Sequence, residues 1–331
     1  MPRNVQRALA PCMSAAYMIV QNVGIVVLMM GMALTVFCTA TVARIVIPLV
    51  AVPNSFTFVF LCILCSTLSF GILFNYMAAA CLRSPLVDAE ETARLARERE
   101  ALPLYQRIML LEAPARYCQT CGRYKAPREH HCRICRRCVT RMDHHCPWIN
   151  NCVDAENYRY FTQLLAYVVL GSGITTGVLG RIYWNVLYRG PANTLADGFY
   201  GPYGNMIRGF STVFLFFTCL LMFVSLSLLL IWNFLYLMKN ETPIESFIVK
   251  QKKRITQHSP YPFRNPYNLS PLLNVLSVFE TRGDPVISHI KRGGNVSMVK
   301  LILWLMLPTL RASKCDGVHY TTFEDEVMHH I

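Results

Sequence analysis

Seven of the chain's 14 cysteines lie between Cys118 and Cys152, and their spacing repeats. A shift of 14 residues lays Cys118, Cys121, His131 and Cys138 on Cys132, Cys135, His145 and Cys152. Each set reads C-x2-C-x9-H-x6-C, so the segment holds two interleaved copies of one four-ligand pattern. Tetrahedral zinc takes Cys3His as a closed structural set, and the two copies predict two structural Zn2+ sites. The repeat also isolates the seventh cysteine. Cys146 falls on Cys132, but no third copy follows for it to serve, so neither metal needs it. It stands in Asp143-His144-His145-Cys146-Pro147-Trp148, where His145 is spent on zinc and His144 is free beside a carboxylate. A nucleophilic thiol needs a base nearby and a group that orients the base, and Cys146, His144 and Asp143 are residues of those types. Lowering a thiol pKa from about 8.5 toward 6 raises the thiolate at pH 7 about thirtyfold. The other reading of Cys146 is a spare ligand. His130, which the shift pairs with His144, reads as an exposed or hydrogen-bonding histidine, because no unassigned thiol stands beside it.

The elements that must hold these residues are read from where charge is missing. Of 331 residues 53% are hydrophobic and only 15% charged, too few charges for an ordinary soluble domain. No charged residue lies between Arg7 and Arg44, Arg44 and Arg83, Arg159 and Arg181, or Arg208 and Lys239. Each gap is long enough for the roughly 20 apolar residues that cross a bilayer. Membrane helices are expected near 14–38, 55–80, 160–182 and 210–238. The first follows Arg3 and Arg7 but is too long for a signal-peptide core, so it is expected to remain as an anchor. Of 32 Lys and Arg, 28 lie before the first helix, in the central loop or after the fourth helix. Both termini and the central loop are therefore expected in the cytosol. A cysteine-rich loop on that reducing side favours metal ligands or reactive thiols over disulfides. The fold class expected is an all-α polytopic membrane protein, with a small cytosolic two-zinc cysteine-rich domain between helices two and three. The divisions are 1–83 (tail and helices one and two), 84–159 (cytosolic loop, zinc domain at about 116–159), 160–238 (helices three and four) and 239–331 (cytosolic region with interfacial helices). Asn22 and Asn75 are expected to hydrogen-bond between helices, and Gly171, Gly173 and Gly177 to form a close-packing face.

At residues 117–161 the sequence resembles the DHHC-type protein S-acyltransferases, integral membrane enzymes that attach palmitate or related chains to protein cysteines. The resemblance rests on the tetrad at 143–146, on Pro147-Trp148, on Asn150-Asn151-Cys152 and on Asn157-Tyr158-Arg159-Tyr160-Phe161. It implies Cys146 as acyl acceptor, His144 as general base, Asp143 as its orienter and His145 as a zinc ligand, in agreement with the repeat. Thr242-Pro243-Ile244-Glu245 resembles a further family motif and reads as a capping box, with Thr242 as N-cap and Glu245 returning to its amide. Asn265-Pro266-Tyr267-Asn268-Leu269 with Asn274 and Phe279 resembles the C-terminal family motif, which implies that Asn274 packs the tail. Ser270 and Asp154 stand where glycine is common, and Lys125-Ala126-Pro127-Arg128 departs from a double proline. The resemblance further implies fatty acyl-CoA as co-substrate, with Lys125 and Arg128 at its phosphates, and substrate proteins with membrane-proximal cysteines as acceptors. It also implies a Golgi or endoplasmic reticulum membrane.

Exchange of one thioester for another is nearly isoenergetic. A 16-carbon chain, at about 0.8 kcal/mol per methylene, would cost on the order of 10 kcal/mol to leave in water, so the bilayer is a necessary partner. The formal charge of +13 suits acyl-CoA phosphates and anionic lipid; membrane helices and the lack of stacking aromatics argue against nucleic acid. Two other readings fit the residues: a membrane-anchored zinc-binding interaction module, and a homologue without turnover. Elsewhere, residues 88–100 read as a solvated helix with a Glu90–Arg94 pair, Lys250, Lys252, Lys253 and Arg254 as a lipid-facing cluster, and 296–307 as an interfacial segment. Cys81 is a further candidate for acylation.

Overall fold

The structure is a computed structural model, described here over residues 3–189, 204–280, 285–291, 294–310 and 316–322. The loop expected between helices three and four falls at 190–203, outside these residues. Among the described residues four helices are long and apolar enough to cross a membrane: Asn22–Val50, Phe56–Cys81, Tyr158–Tyr188 and Gly209–Leu237. The first is α1 (Arg3–Thr41), which continues through a π turn (Val42–Val46) into α2 (Ile47–Val50). It runs past the expected end at 38 because Arg44, exposed, does not interrupt the helix. Pro48 lacks an N–H and its ring crowds the carbonyl of Arg44; the wider π turn just ahead of it relieves both.

The chain then forms α3 (Phe56–Cys81), α4 (Ala89–Ala101) and α5 (Leu104–Met109). Next come six short strands: β1 (Tyr117–Cys118), β2 (Arg123–Tyr124), β3 (His130–Cys132), β4 (Arg137–Val139), β5 (His144–Cys146) and β6 (Asn151–Val153). They pair in sequence as three antiparallel hairpins. The remaining described elements are helices: α6 (Tyr158–Arg189), α7 (Gly204–Leu237), α8 (Pro243–Ile255), α9 (Pro271–Phe279), α10 (Pro285–Lys291) and α11 (Met298–Met306). The expected all-α class thus holds outside the cysteine-rich region. There the ligand spacing imposes hairpins, too short to persist without something to tie them together.

The chain divides into two compact units, one of 29–77 with 162–232 and the other of 1–28, 78–161 and 233–331. In the first, Val46, Leu179, Leu215 and Cys219 form a buried core. Gly173 lies against the Phe223 ring, so near that an added Cβ would fall 2.8 Å from it. Gly171 and Gly177 have no such neighbour, so the expected glycine face reduces to one position. Asn75 is buried but donates to Gly71 O of its own helix at 2.7 Å, not to another helix, and Asn22 is exposed.

The second unit carries the cysteine-rich region and is tied together by amides. Helix α3 ends with carbonyls that have no helical partner. Asn151 Nδ2 takes Ala79 O (3.1 Å) and Leu82 O (2.7 Å), and Asn157 Nδ2 takes the same two at 3.2 and 3.1 Å. Asp154, in the place of a glycine, accepts Ser84 N at 2.9 Å and Asn157 N at 3.3 Å. Thr242 and Glu245 form both halves of the capping box that starts α8. Asn274 Nδ2 donates to Met238 O at 2.8 Å and its Oδ1 accepts Leu269 N at 3.0 Å, which fastens α9 to the end of the fourth long helix. Arg94 pairs with Glu91 and Glu98 rather than with Glu90. In α11, Trp304 is buried while Met298, Val299, Ile302 and Leu303 are exposed, the one-sided pattern of an interfacial helix.

Candidate active site and metal centres

Strand alternation sorts the ligands. Successive side chains point to opposite faces, and residues paired across an antiparallel ladder share a face. His131 pairs with Cys138 and His145 with Cys152, so each histidine shares a face with its cross-strand cysteine. The Cys118–Cys121 and Cys132–Cys135 turns supply the remaining thiols. In each four-residue group all ligand atoms lie within 4.8 Å of one another. Tetrahedral zinc, with Zn–S about 2.3 Å and Zn–N about 2.0–2.1 Å, requires S···S near 3.8 Å and S···N near 3.6 Å. In the first group Sγ of Cys118 and Cys121 lie 3.5 and 3.3 Å from His131 Nδ1, and Cys121 and Cys138 are 3.7 Å apart. In the second, Cys132, Cys135 and Cys152 lie 3.8, 3.4 and 3.7 Å from His145 Nδ1. Both donor sets fit zinc, and both use Nδ1.

Cys146 belongs to neither group, and β5 accounts for this. His145 faces the second metal group, so its neighbours His144 and Cys146 share the opposite face, where each lies close enough to shift the other's ionisation. In β3 the matching position is Cys132, which serves the second group; among the described residues Cys146 has no further group to serve. Asp143, buried, places Oδ2 2.7 Å from His144 Nδ1, which leaves Nε2 for the thiol. The Phe161 ring stands edge-on to His144, with centroids 5.5 Å apart, and fixes the other side of the imidazole. Burial alone would lower the His144 pKa, but Asp143 and Cys146 outweigh it and hold it up to about 9. Burial alone would raise the Cys146 thiol; His144 and the amides of Ile149 and Trp148 reverse this and bring it down. A thiolate–imidazolium pair is thus favoured between the lowered thiol value and about 9. Alkylation of Cys146 by iodoacetamide should remain fast to lower pH in the parent than in His144→Ala, where burial acts unopposed. An unchanged inflection in the rate-against-pH curve would contradict this pairing.

Arg128 is a correction. The expectation placed it at acyl-CoA phosphates, but it is 1% exposed. Its Nε and Nη2 donate to Glu245 Oε1 and Oε2, each at 2.7 Å, and its Nη1 and Nη2 reach Asn240 Oδ1 (3.1 Å) and O (3.0 Å). Tyr267 and Tyr320 cover it, with ring centroids 4.5 and 5.2 Å from its Cζ. The same Glu245 oxygen that takes Arg128 Nη2 also takes the Thr242 amide, so the α8 cap is bound to the cysteine-rich region. No sequence spacing could link residues 117 positions apart. Removing one partner of such a buried pair costs about 3–5 kcal/mol. Arg128→Ala should lower the melting temperature sharply, and a melting curve like the parent's would show that the pair bears no load.

Lys125 lies elsewhere, in an open cleft of about 480 Å3 that it lines with Tyr117, Gln119, Thr120, His130 and Arg133. Arg133 and Lys125 line the same cleft, and Arg128 does not. His130 Nε2 also lies 3.1 Å from Glu112 Oε1, so its ring faces a carboxylate and not a free thiol. Cys81 is exposed at the end of α3.

The sequence profile of the family described as DHHC palmitoyltransferase matches residues 111–250, which include all eight ligand positions, Asp143, His144, Cys146 and the α8 cap. No curated protein sequence matches the chain.

Proposed function

We propose that the chain, whose residues 111–250 match the sequence profile of the DHHC palmitoyltransferase family, is a multi-pass protein S-acyltransferase using Cys146 as its nucleophile. The observation that carries this reading is the unliganded thiol: Cys146 shares a strand face with His144, whose Nδ1 lies 2.7 Å from Asp143. With its proton already on His144 Nε2, the Cys146 thiolate attacks the thioester carbonyl of a fatty acyl-CoA. The carbonyl re-forms, the bond to the CoA sulfur breaks, and His144 returns the proton to that sulfur. In the second half, His144 takes the proton of a substrate protein's cysteine. That sulfur attacks the Cys146 thioester and carries the acyl group away, and the proton returns to Cys146. Asp143 holds the imidazole so that Nε2 handles both transfers. Cys118, Cys121, His131 and Cys138 hold one Zn2+, and Cys132, Cys135, His145 and Cys152 the other. Both are structural, and what they supply is a fixed backbone on either side of Cys146.

Lys125 and Arg133 are the side chains proposed to meet the CoA phosphates, since both line the open cleft. Palmitoyl is the favoured acyl group, and substrate proteins present cysteines close to the bilayer. The domain divisions at 83/84, 159/160 and 238/239 follow the same plan. The termini and Cys146 are assigned to the cytosol by the arginine and lysine distribution, and the membrane to the Golgi or endoplasmic reticulum.

Initial-rate kinetics with palmitoyl-CoA and a cysteine-containing acceptor peptide test the reading. Parallel double-reciprocal lines are expected, as for two half-reactions through an acyl-enzyme. Lys125→Ala and Arg133→Ala should each raise KM for palmitoyl-CoA by about three- to tenfold with kcat little changed. Intersecting lines would mean direct transfer in a ternary complex and would remove Cys146 from its role.

A further inference from the structure

The hairpin that carries Cys146 repeats the turn of both ligand hairpins. Cys118 pairs with Arg123, Cys132 with Arg137 and Cys146 with Asn151, so in each hairpin a cysteine ends the first strand and a four-residue loop follows. The last loop residue is left-handed in all three: Gly122 at φ +66, Arg136 at φ +54 and Asn150 at φ +47. A glycine, an arginine and an asparagine at that position share a backbone conformation and no side-chain chemistry. The conformation is therefore what the turn requires, at a cost to any residue other than glycine. One step earlier stand Cys121, Cys135 and Ile149. The first two are ligands, whereas Ile149 is buried and offers no donor side chain.

In the second hairpin this turn sends the Cys135 amide to the Cys132 sulfur at 3.3 Å. The same backbone course in the third brings the Ile149 amide toward Cys146 Sγ, and the amides of Trp148 and Ile149 lie near enough to bear on its charge. Asn150 N closes the loop on Pro147 O at 3.2 Å. The Asn150 side chain lies against α1, where an added Cβ on Gly24 would fall 2.1 Å from its Oδ1. Asn150 thus has a side-chain contact as well as a costly backbone conformation. Glycine separates the two, since it keeps the conformation and lacks the contact.

We propose that residues 146–150 form a third metal-type cysteine turn in which Ile149 replaces the second ligand, and that the left-handed Asn150 is a positioning residue that aims the Ile149 amide at the Cys146 sulfur. An N–H so placed fixes the Cys146 side chain on the face it shares with His144. With Ile149 in place of a second thiol, the sulfur has no chelating partner in its own turn and is open to an acyl group. This positioning role rests on the S-acyltransferase reading; the shape of the turn does not.

Ile149→Cys tests the shape. It should make Cys146 half of a dithiol that phenylarsine oxide bridges, two S–H groups and the As=O giving two As–S bonds and water. One equivalent of the arsenical should slow iodoacetamide alkylation of Cys146, read on its peptide, at least about tenfold in Ile149→Cys and less than about twofold in the parent, with zinc at two per chain in both. Adding Asn150→Val should weaken that protection. No protection of Ile149→Cys, or protection undiminished by Asn150→Val, overturns the proposal. The positioning role is read in single-turnover acylation by palmitoyl-CoA. Asn150→Val should slow it about five- to thirtyfold with the half-saturating palmitoyl-CoA concentration and the zinc content held, and Asn150→Gly should recover most of the loss. Equal losses in the two variants would make the contact with α1 the cause and overturn the positioning role. A parent that takes no acyl group while Ile149→Cys captures the arsenical would overturn the S-acyltransferase reading, and the positioning role with it, and support the turn. Acylation of the parent without capture would overturn the turn alone.

Discussion

Cys146→Ala should abolish acyl-enzyme formation, with a loss of at least about 10^3-fold in the single-turnover rate, while zinc stays at two per chain. The effect is large because no neighbouring side chain can replace the thiol. The six other cysteines of the region are drawn into two groups whose sulfur and Nδ1 atoms lie within 4.8 Å of each other. Metal retention follows from β5: Cys146 faces away from the group that His145 joins, so the substitution leaves both donor sets whole. Zinc content and single-turnover label are measured on the same sample. A variant that loses acylation together with one zinc would make Cys146 a ligand rather than a nucleophile.

His145→Ala should have the opposite signature: one zinc lost per chain, a lower melting temperature, and acylation lost as a consequence. Strands β5 and β6 are three residues each, and such a hairpin does not persist alone in water. A structural zinc contributes on the order of 10–16 kcal/mol in isolated zinc-binding peptides, so the hairpin that presents Cys146 depends on the metal beside it. On the proposed assignment two adjacent histidines divide the work. Changing His144 should slow chemistry and keep zinc; changing His145 should lose zinc and with it the chemistry. Metal analysis by inductively coupled plasma spectrometry separates them, and a zinc content still at two in His145→Ala would contradict the ligand assignment.

What the sequence could reveal followed from which forces are local. The ligand repeat was legible because a metal site needs four donors at fixed spacings, and the leftover Cys146 followed by subtraction. The four long helices were legible from missing charge, although the first runs on to Val50 through Arg44. Thr242 and Glu245 were readable because a capping box spans only four residues. Arg128 was misplaced because its partners, Glu245 and Asn240, lie more than a hundred positions away, and a basic residue beside ligands looks the same in sequence whether it meets solvent or a buried carboxylate. Asn151 and Asn157 stand in legible motifs, but the role of their amides is not legible there. Their partners are backbone carbonyls at the end of α3, which carry no side-chain signature. The clamp of Phe161 on His144 was hidden for a related reason, because its partner is the edge of an imidazole 17 residues earlier.

The most direct test is mass spectrometry of the purified parent protein mixed with palmitoyl-CoA and no acceptor, quenched in acid and digested. The predicted result is one acyl group, removed by neutral hydroxylamine, on the peptide that contains Cys146. An acyl group mapped to Cys81 or another cysteine with Cys146 unmodified, or no acyl group on a protein that holds two zinc ions, would contradict it.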